Sequence, residues 1–272
     1  MTGLLFGLLA GAFWATGSVF TKLALKKGYE ENFVLWVRFP VASVLLLPLG
    51  LYFWELNLKV VLTTFVWLPL EVAASLFFIK AVKHAPLSVA MPFLTFMPLF
   101  SALAGWLVLN ERPSPAGWLG ITLIVLGSFV ISGGRPSFFR KHKGALYALA
   151  SAALFGLNVV VGKVAVQASN QFFFSWYYSL VMSFGVLPFV KRFPPKERLK
   201  DPLFLAVGAC FAGGMLFYAW GYLYAYASYV ASAERLGVIL DVLYGKLFFK
   251  ERVRRAFAGA LLMAAGAVLL NF

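Results

Sequence analysis

The chain is a succession of apolar runs, each close to 20 residues long and divided by short polar breaks. An α-helix rises 1.5 Å per residue, so about 20 apolar residues cross the hydrocarbon core of a bilayer. Backbone polar groups in lipid must be satisfied within their own segment, which makes such runs helices. The pattern predicts ten spans: Leu4–Leu25, Phe33–Trp54, Val60–Ile79, Leu87–Leu109, Ala116–Ser132, Ala145–Val166, Phe172–Val190, Leu203–Tyr224, Val230–Phe249 and Ala256–Leu270. The expected fold class is therefore all-α integral membrane.

Composition closes the soluble alternative. Only 12% of residues are charged and 62% are hydrophobic, with a mean hydropathy of +0.86. A soluble domain carries about 25% charged residues to face water. The net charge of +14 raises nucleic acid as a partner. Its Lys and Arg fall in short clusters between apolar runs rather than along one stripe, so nucleic acid is not expected. Cys210 stands alone in an apolar stretch, which leaves no disulfide or thiolate metal site to infer. No metal-ligand spacing and no phosphate-cradling glycine loop is present, so no cofactor is expected. The first residues lack the basic segment of a cleaved signal peptide, and the first run is expected to remain as a span.

The two halves resemble each other at a spacing near 140 residues. Trp14 lines up with Phe155, Lys22 with Lys163, Pro48 with Pro188, and Glu111-Arg112 with Glu251-Arg252. Gly120 and Gly127 match Gly259 and Gly266, with the same interval in each half. The implied organisation is a first five-helix repeat at 1–134, a basic linker at 135–143 and a second five-helix repeat at 144–272. Five is odd, so the second repeat must enter the membrane inverted. Inverted repeats are a recurring transporter plan, with the substrate site near the midplane and alternating access by rocking.

With these residues in order, the sequence resembles the drug/metabolite transporter superfamily in its EamA-like branch. The likeness rests on Trp14 with Lys22, Arg38-Phe39 with Ala42, and the stretch from Ala81 to Ala90. It continues through Pro98, Asn110-Glu111-Arg112, Gly120 and Gly127, and recurs at Lys250-Glu251-Arg252 with Gly259 and Gly266. The resemblance implies ten helices, a central cavity and carriage of small metabolites, often export of amino acids or related compounds. The second half departs from the pattern in the run from Phe174 to Tyr178, where Arg38 finds no counterpart.

Ionisable groups within a span cost about 2.5–3.5 kcal/mol each at the helix centre on insertion scales. Glu71 and Asp241 sit deepest; Glu234 precedes Asp241 by seven residues and shares its helix face, with Gly237 between them. Apolar surroundings favour the neutral form of a carboxyl group, which makes Glu71 and Asp241 the proton-coupling candidates, with protons as the coupling ion. The bland reading is a structural ion pair between helices. Lys22, Lys163 and Arg38 lie within about two turns of a span end, where a long stem can snorkel to the interface. Span 1 carries Trp14, Gly17 and Thr21 on one face, and span 6 carries Ser151, Phe155, Asn158 and Gly162. Such matched faces fit a cavity wall, and Asn158 should face the interior. The substrate-binding candidates are Trp14, Arg38, Glu71, Phe155, Asn158, Tyr177, Glu234 and Asp241. Gly208 with Ala212, and Ala209 with Gly213, allow close helix packing in span 8.

Loops after odd-numbered spans hold 17 Lys and Arg, while even-numbered loops hold only Lys59 and Arg112. Positive loops stay cytoplasmic. Both termini are therefore expected outside the cytoplasm, contrary to the habit of the family it resembles. The function expected is a secondary transporter of small metabolites, such as amino acids or related amphipathic compounds, exporting across the inner membrane. A lipid or lipid-linked-sugar translocase on the same scaffold is the alternative; an intramembrane enzyme ranks lower, because no catalytic set converges in the spans.

Overall fold

A computed structural model describes residues 2–94, 96–132, 143–250 and 256–269. Among these residues the regular structure is entirely helical, in two short 3₁₀ helices, Leu187–Phe189 and Lys196–Lys200, and twelve α-helices. They are α1 (Thr2–Lys26), α2 (Glu31–Tyr52), α3 (Leu58–His84), α4 (Leu87–Leu94), α5 (Met97–Leu109), α6 (Pro115–Ser132), α7 (Lys143–Gln167), α8 (Gln171–Val186), α9 (Pro202–Gly221), α10 (Ala227–Arg235), α11 (Gly237–Phe249) and α12 (Ala256–Leu269). Six of them, α1, α2, α3, α7, α9 and α8 with its 3₁₀ extension to Phe189, are individually long and apolar enough to cross a membrane. The protein is a multi-pass membrane protein. Side chains such as Phe65, Leu107, Phe184 and Leu247 stand fully outward, as lipid requires.

The helix starts are chemically marked. Asn57 accepts from Val60 N, Asn170 from Phe172 and Phe173 N, and Asp201 from Leu203 N ahead of Pro202. These carboxamide and carboxylate oxygens satisfy donors left open at a helix N-terminus. Two ends are left-handed: Asn110 after α5 and Lys250 after α11, each at φ 55°, with the cap N–H bonded to Gly105 O and Gly245 O respectively.

Spans 4 and 9, expected as single helices, are each divided. The first breaks between Leu94 and Met97, where Pro98 opens α5 without an N–H to give. The second breaks at Leu236, where Leu236 N turns to Ala233 O and Ile239 N to Leu236 O in i→i+3 fashion. The third span is also longer than expected. It runs to His84, so the connection to α4 shrinks to Ala85-Pro86. The anticipated basic linker and the Glu251-Arg252 pair lie largely or wholly outside the described residues.

Packing is regular. α1 lies along α9, and α3 along α7; α2 crosses α8, and α6 crosses α12. Both α4 and α5 contact α7, as α10 and α11 contact α1, while α10 meets α5 and α11 meets α4. Exchanging the first six segments for the last six maps this set of pairings onto itself. At the α6–α12 crossing, a Cβ added to Gly127 would strike Gly259 O, and one added to Gly266 would strike Gly120 O, both at 2.5 Å. Backbones meet there without intervening side chains.

Loops after the odd spans gather at one face. Lys27 Nζ and Tyr29 Oη both donate to Asp201, at 2.8 and 2.9 Å, and Lys83 pairs with Glu31 at 2.7 Å. At the opposite face Asn57 Nδ2 donates to Ala168 O, and Asn170 Nδ2 to Phe53 O and Glu55 Oε2.

Candidate functional site

The helix breaks flank a central cavity of about 160 Å³, a space for on the order of ten waters. Its walls come from α1, α2, α3, α7, α8, α9 and both broken spans. Aromatic rings dominate them. Trp14 sits against Gly214, with its ring 4.8 Å from that of Tyr218; Trp67 stacks on Tyr178 at 5.0 Å; Tyr218 and Tyr222 approach at 4.8 Å.

Polar groups interrupt this wall at chosen places. Glu71 Oε2 accepts from Asn158 Nδ2 at 2.6 Å, joining α3 to α7, and the Tyr178 hydroxyl also bonds the carboxylate. Arg38 of α2 approaches from the same side. Its Nε donates to Leu35 O at 3.1 Å and its guanidinium lies 5.3 Å from the Phe78 ring centroid. Across the cavity Arg235 pairs with Glu234 at the end of α10, and Asp241 follows on α11. Glu234 and Asp241 are 4% and 7% exposed, and with Gly237 they present one face to the cavity. The site therefore holds carboxylates and guanidiniums together within an aromatic enclosure.

Of the eight substrate-binding candidates, Trp14, Arg38, Glu71, Phe155, Asn158, Glu234 and Asp241 line this cavity. Tyr177 does not. Its hydroxyl lies 3.1 Å from Thr64 Oγ1 and its ring stacks on Phe173, on the side of α8 turned away. Neighbouring Tyr178 takes the cavity position; adjacent residues on a helix point about 100° apart, so one residue changes the face. The structure also adds Trp67, Tyr218, Tyr222 and Arg235. Trp67 was legible as lying one helical turn before Glu71, on its face. Ser151 is turned instead to Ala74 O at 2.9 Å.

Two lysines behave differently from the snorkelling expected of them. Lys22 donates to Val82 O and Ala85 O at the end of α3. Lys163 donates to Glu111 and to Ala225 O beyond α9. Both side chains turn inward, because open carbonyls at a neighbouring helix end offer charge-assisted acceptors closer than the interface. The small residues of α9 also have partners: Gly208 packs on Val41 of α2, and Gly213 on the Phe13 ring of α1.

A second, shallower depression at the basic face is lined by Lys22, Lys26, Lys83, His84 and Phe249.

The model of the EamA-like transporter family matches this sequence twice, over residues 1–133 and 142–272. The sequence is 32% identical over 152 residues to the uncharacterized transporter YwfM of Bacillus subtilis (strain 168), a match covering 53% of this chain. The match spans about half, 49%, of that relative's length. A crystal structure 18% identical in sequence superposes with a TM-score of 0.74, covering 98% of this chain and 96% of the other, a likeness of fold alone.

Proposed function

The chain belongs to the EamA-like transporter family, and from that premise we propose that it is a secondary carrier of small metabolites working by alternating access. The observation that carries this reading is the cavity at the two helix breaks, lined from both ends of the chain by paired charges and aromatic rings. Broken helices beside a midplane cavity are the recurring site of such carriers. The exchange symmetry of the helix pairings supports two inverted five-helix repeats, divided near residues 134 and 144, as the moving bodies. Reciprocal glycines at the α6–α12 crossing, and the matched caps at Asn110 and Lys250, support the same division.

Cargo of about ten non-hydrogen atoms suits the cavity volume. Amino acids or related amphipathic compounds fit its mixed charge, with export across the inner membrane the proposed direction. Seven of the eight candidate residues line the space such a solute would occupy; Trp14 and Phe155 would supply ring faces on opposing helices. Glu71 and Asp241 are the proposed proton carriers. The groups that would bias Glu71 are Arg38, Asn158 and Tyr178, with Tyr218 and Tyr222 beyond. The basic face assembled by Lys27, Lys83 and the 191–200 loop supports its placement in the cytoplasm, with both termini outside.

A panel of small solutes, scored by thermal stabilisation of the purified protein and then by flux in proteoliposomes with and without a pH gradient, tests the reading. Saturable flux of a solute that also stabilises the protein is expected. Failure of every solute to bind or move would overturn it.

A further inference from the structure

Several polar atoms on the cavity walls are buried without a hydrogen-bond partner. Three buried donors on its walls have no acceptor among the described residues: Arg38 Nη2, Trp67 Nε1 and Trp14 Nε1. The same walls carry Asn158 Oδ1 and the Tyr218 hydroxyl, likewise without a partner among the described residues. Trp67 is 1% exposed, so its N–H has no outlet to solvent through the protein surface.

Arg38 is the sharper case. Among the described residues no carboxylate oxygen lies within 4.0 Å of its guanidinium; the ion pairs found are elsewhere. Its interactions in the protein are a carbonyl of its own helix and ring faces of Phe78 and Phe39. Glu71, the carboxylate on the same wall, is held by Asn158 and Tyr178 instead. A guanidinium withdrawn from water is costly unless an anion and hydrogen-bond acceptors compensate it. Among the described residues Glu71 acts on Arg38 electrostatically but does not pair with it, and Nη2 is left without a hydrogen-bond acceptor.

Trp67 and Arg38 converge on one region. Trp67 is one turn from Glu71 on α3 and stacks on Tyr178, and Tyr178 bonds Glu71 beside Arg38. We propose that Arg38 Nη2 and Trp67 Nε1 form an oxyanion subsite that takes the carboxylate of the carried solute, with the Tyr178 and Trp14 rings enclosing its apolar part. This rests on the carrier reading and sharpens its substrate class to monocarboxylates with an apolar or aromatic body. A planar carboxylate suits N–H donors in a fork, as in arginine–carboxylate pairs generally. A doubly charged phosphate does not suit the site, because Glu71, Glu234 and Asp241 share the same cavity.

The test uses three probes with one ring and similar size: phenylacetate, its methyl ester and phenethylamine. Each is titrated against the purified protein, with the unfolding midpoint and tryptophan fluorescence as readouts. Phenylacetate should bind saturably and at least tenfold more tightly than the ester or amine. Arg38→Gln should remove that preference, and Arg38→Lys should restore part of it. Trp67→Phe, which removes the indole N–H and leaves a smaller aromatic ring, should weaken phenylacetate several-fold and affect the ester less. Equal or tighter binding of the ester or the amine, no saturable effect of phenylacetate, or a preference that survives Arg38→Gln would overturn the subsite. Flux of phenethylamine without flux of phenylacetate would overturn it while leaving the carrier intact. The carrier reading fails separately, when no solute of the wider panel binds or moves.

Discussion

Lys163 and Glu111 form a buried ion pair where three separate parts of the chain meet. Lys163 belongs to α7 and Glu111 follows α5; their side chains are 7% and 10% exposed. Lys163 also donates to Ala225 O at 2.8 Å, and Glu111 accepts from Ala227 N at 2.9 Å, where α10 begins. One pair thus satisfies an open carbonyl after α9 and an open N–H ahead of a broken helix. Lys22 has the corresponding role at the opposite face, donating to Ala85 O after α3.

Removing one partner of that pair leaves the other charge buried, at a cost of about 3–5 kcal/mol, whereas removing both costs less. Lys163→Met and Glu111→Gln should each lower the unfolding midpoint of the purified protein substantially. The double variant should recover part of the loss. Additive losses would show that the two residues act independently.

At the α6–α12 crossing, Gly127→Leu and Gly266→Leu should each destabilise the protein by about 1–3 kcal/mol, the usual cost of overpacking. The midpoint of reversible unfolding in mixed detergent measures this. Gly28→Leu, where nothing lies within 4 Å of an added Cβ but φ is +84°, isolates backbone strain; a smaller loss there than at the crossing would mark overpacking as the larger factor.

Asp201 offers a pH-dependent contact outside the membrane. The Lys27 ammonium hydrogen-bonded to it holds its carboxyl below the usual aspartate range, with Leu203 N and the Tyr29 hydroxyl adding to the effect. A depressed carboxyl contributes stability above its unfolded value, about 3.9, and that stability is lost as pH falls through the folded value. Asp201→Asn should therefore flatten the acid limb of the stability profile below about pH 4 and leave the region above it parallel to wild type. High salt should shrink the difference, since Lys27 is exposed.

For proton coupling, Glu71→Gln and Asp241→Asn should each flatten the pH dependence of flux in proteoliposomes. If both variants kept the wild-type pH profile, protons would not be the coupling ion through these groups.

Membrane orientation is open to a direct measurement. With Cys210→Ala as background, Thr2→Cys should react with an impermeant thiol reagent added outside intact cells, and Phe138→Cys should react only after permeabilisation. The reverse pattern would place the basic face outside.

Much of this architecture was legible before any coordinates, because the bilayer converts length and apolarity directly into spans. Each of the ten expected spans is helical, spans 4 and 9 in two pieces, and Trp14 on α1 and Phe155 on α7 both line the cavity. Glu71, Asp241 and Asn158 were legible for a related reason: polar groups at mid-span must face inward. Tyr177 was not separable from Tyr178. The run Phe172-Phe173-Phe174 through Tyr178 is aromatic on every face, so no period reveals the rotation of α8. The break in span 4 was hidden too, since apolarity continues across it, whereas Glu234-Arg235 and Gly237 mark the break in span 9.

Sequence by itself determined the membrane setting, the ten spans and the identity of the deep charges, because those depend on local composition and spacing. Tertiary structure alone decided which groups meet. Lys22 and Lys163 turn inward only because another helix ends beside them with open carbonyls. Arg38 is left with an unpartnered donor only because Asn158 and Tyr178 have already taken Glu71. Such relations join residues 87 positions apart and more, across helices whose rotation and neighbours are set by packing rather than by sequence period.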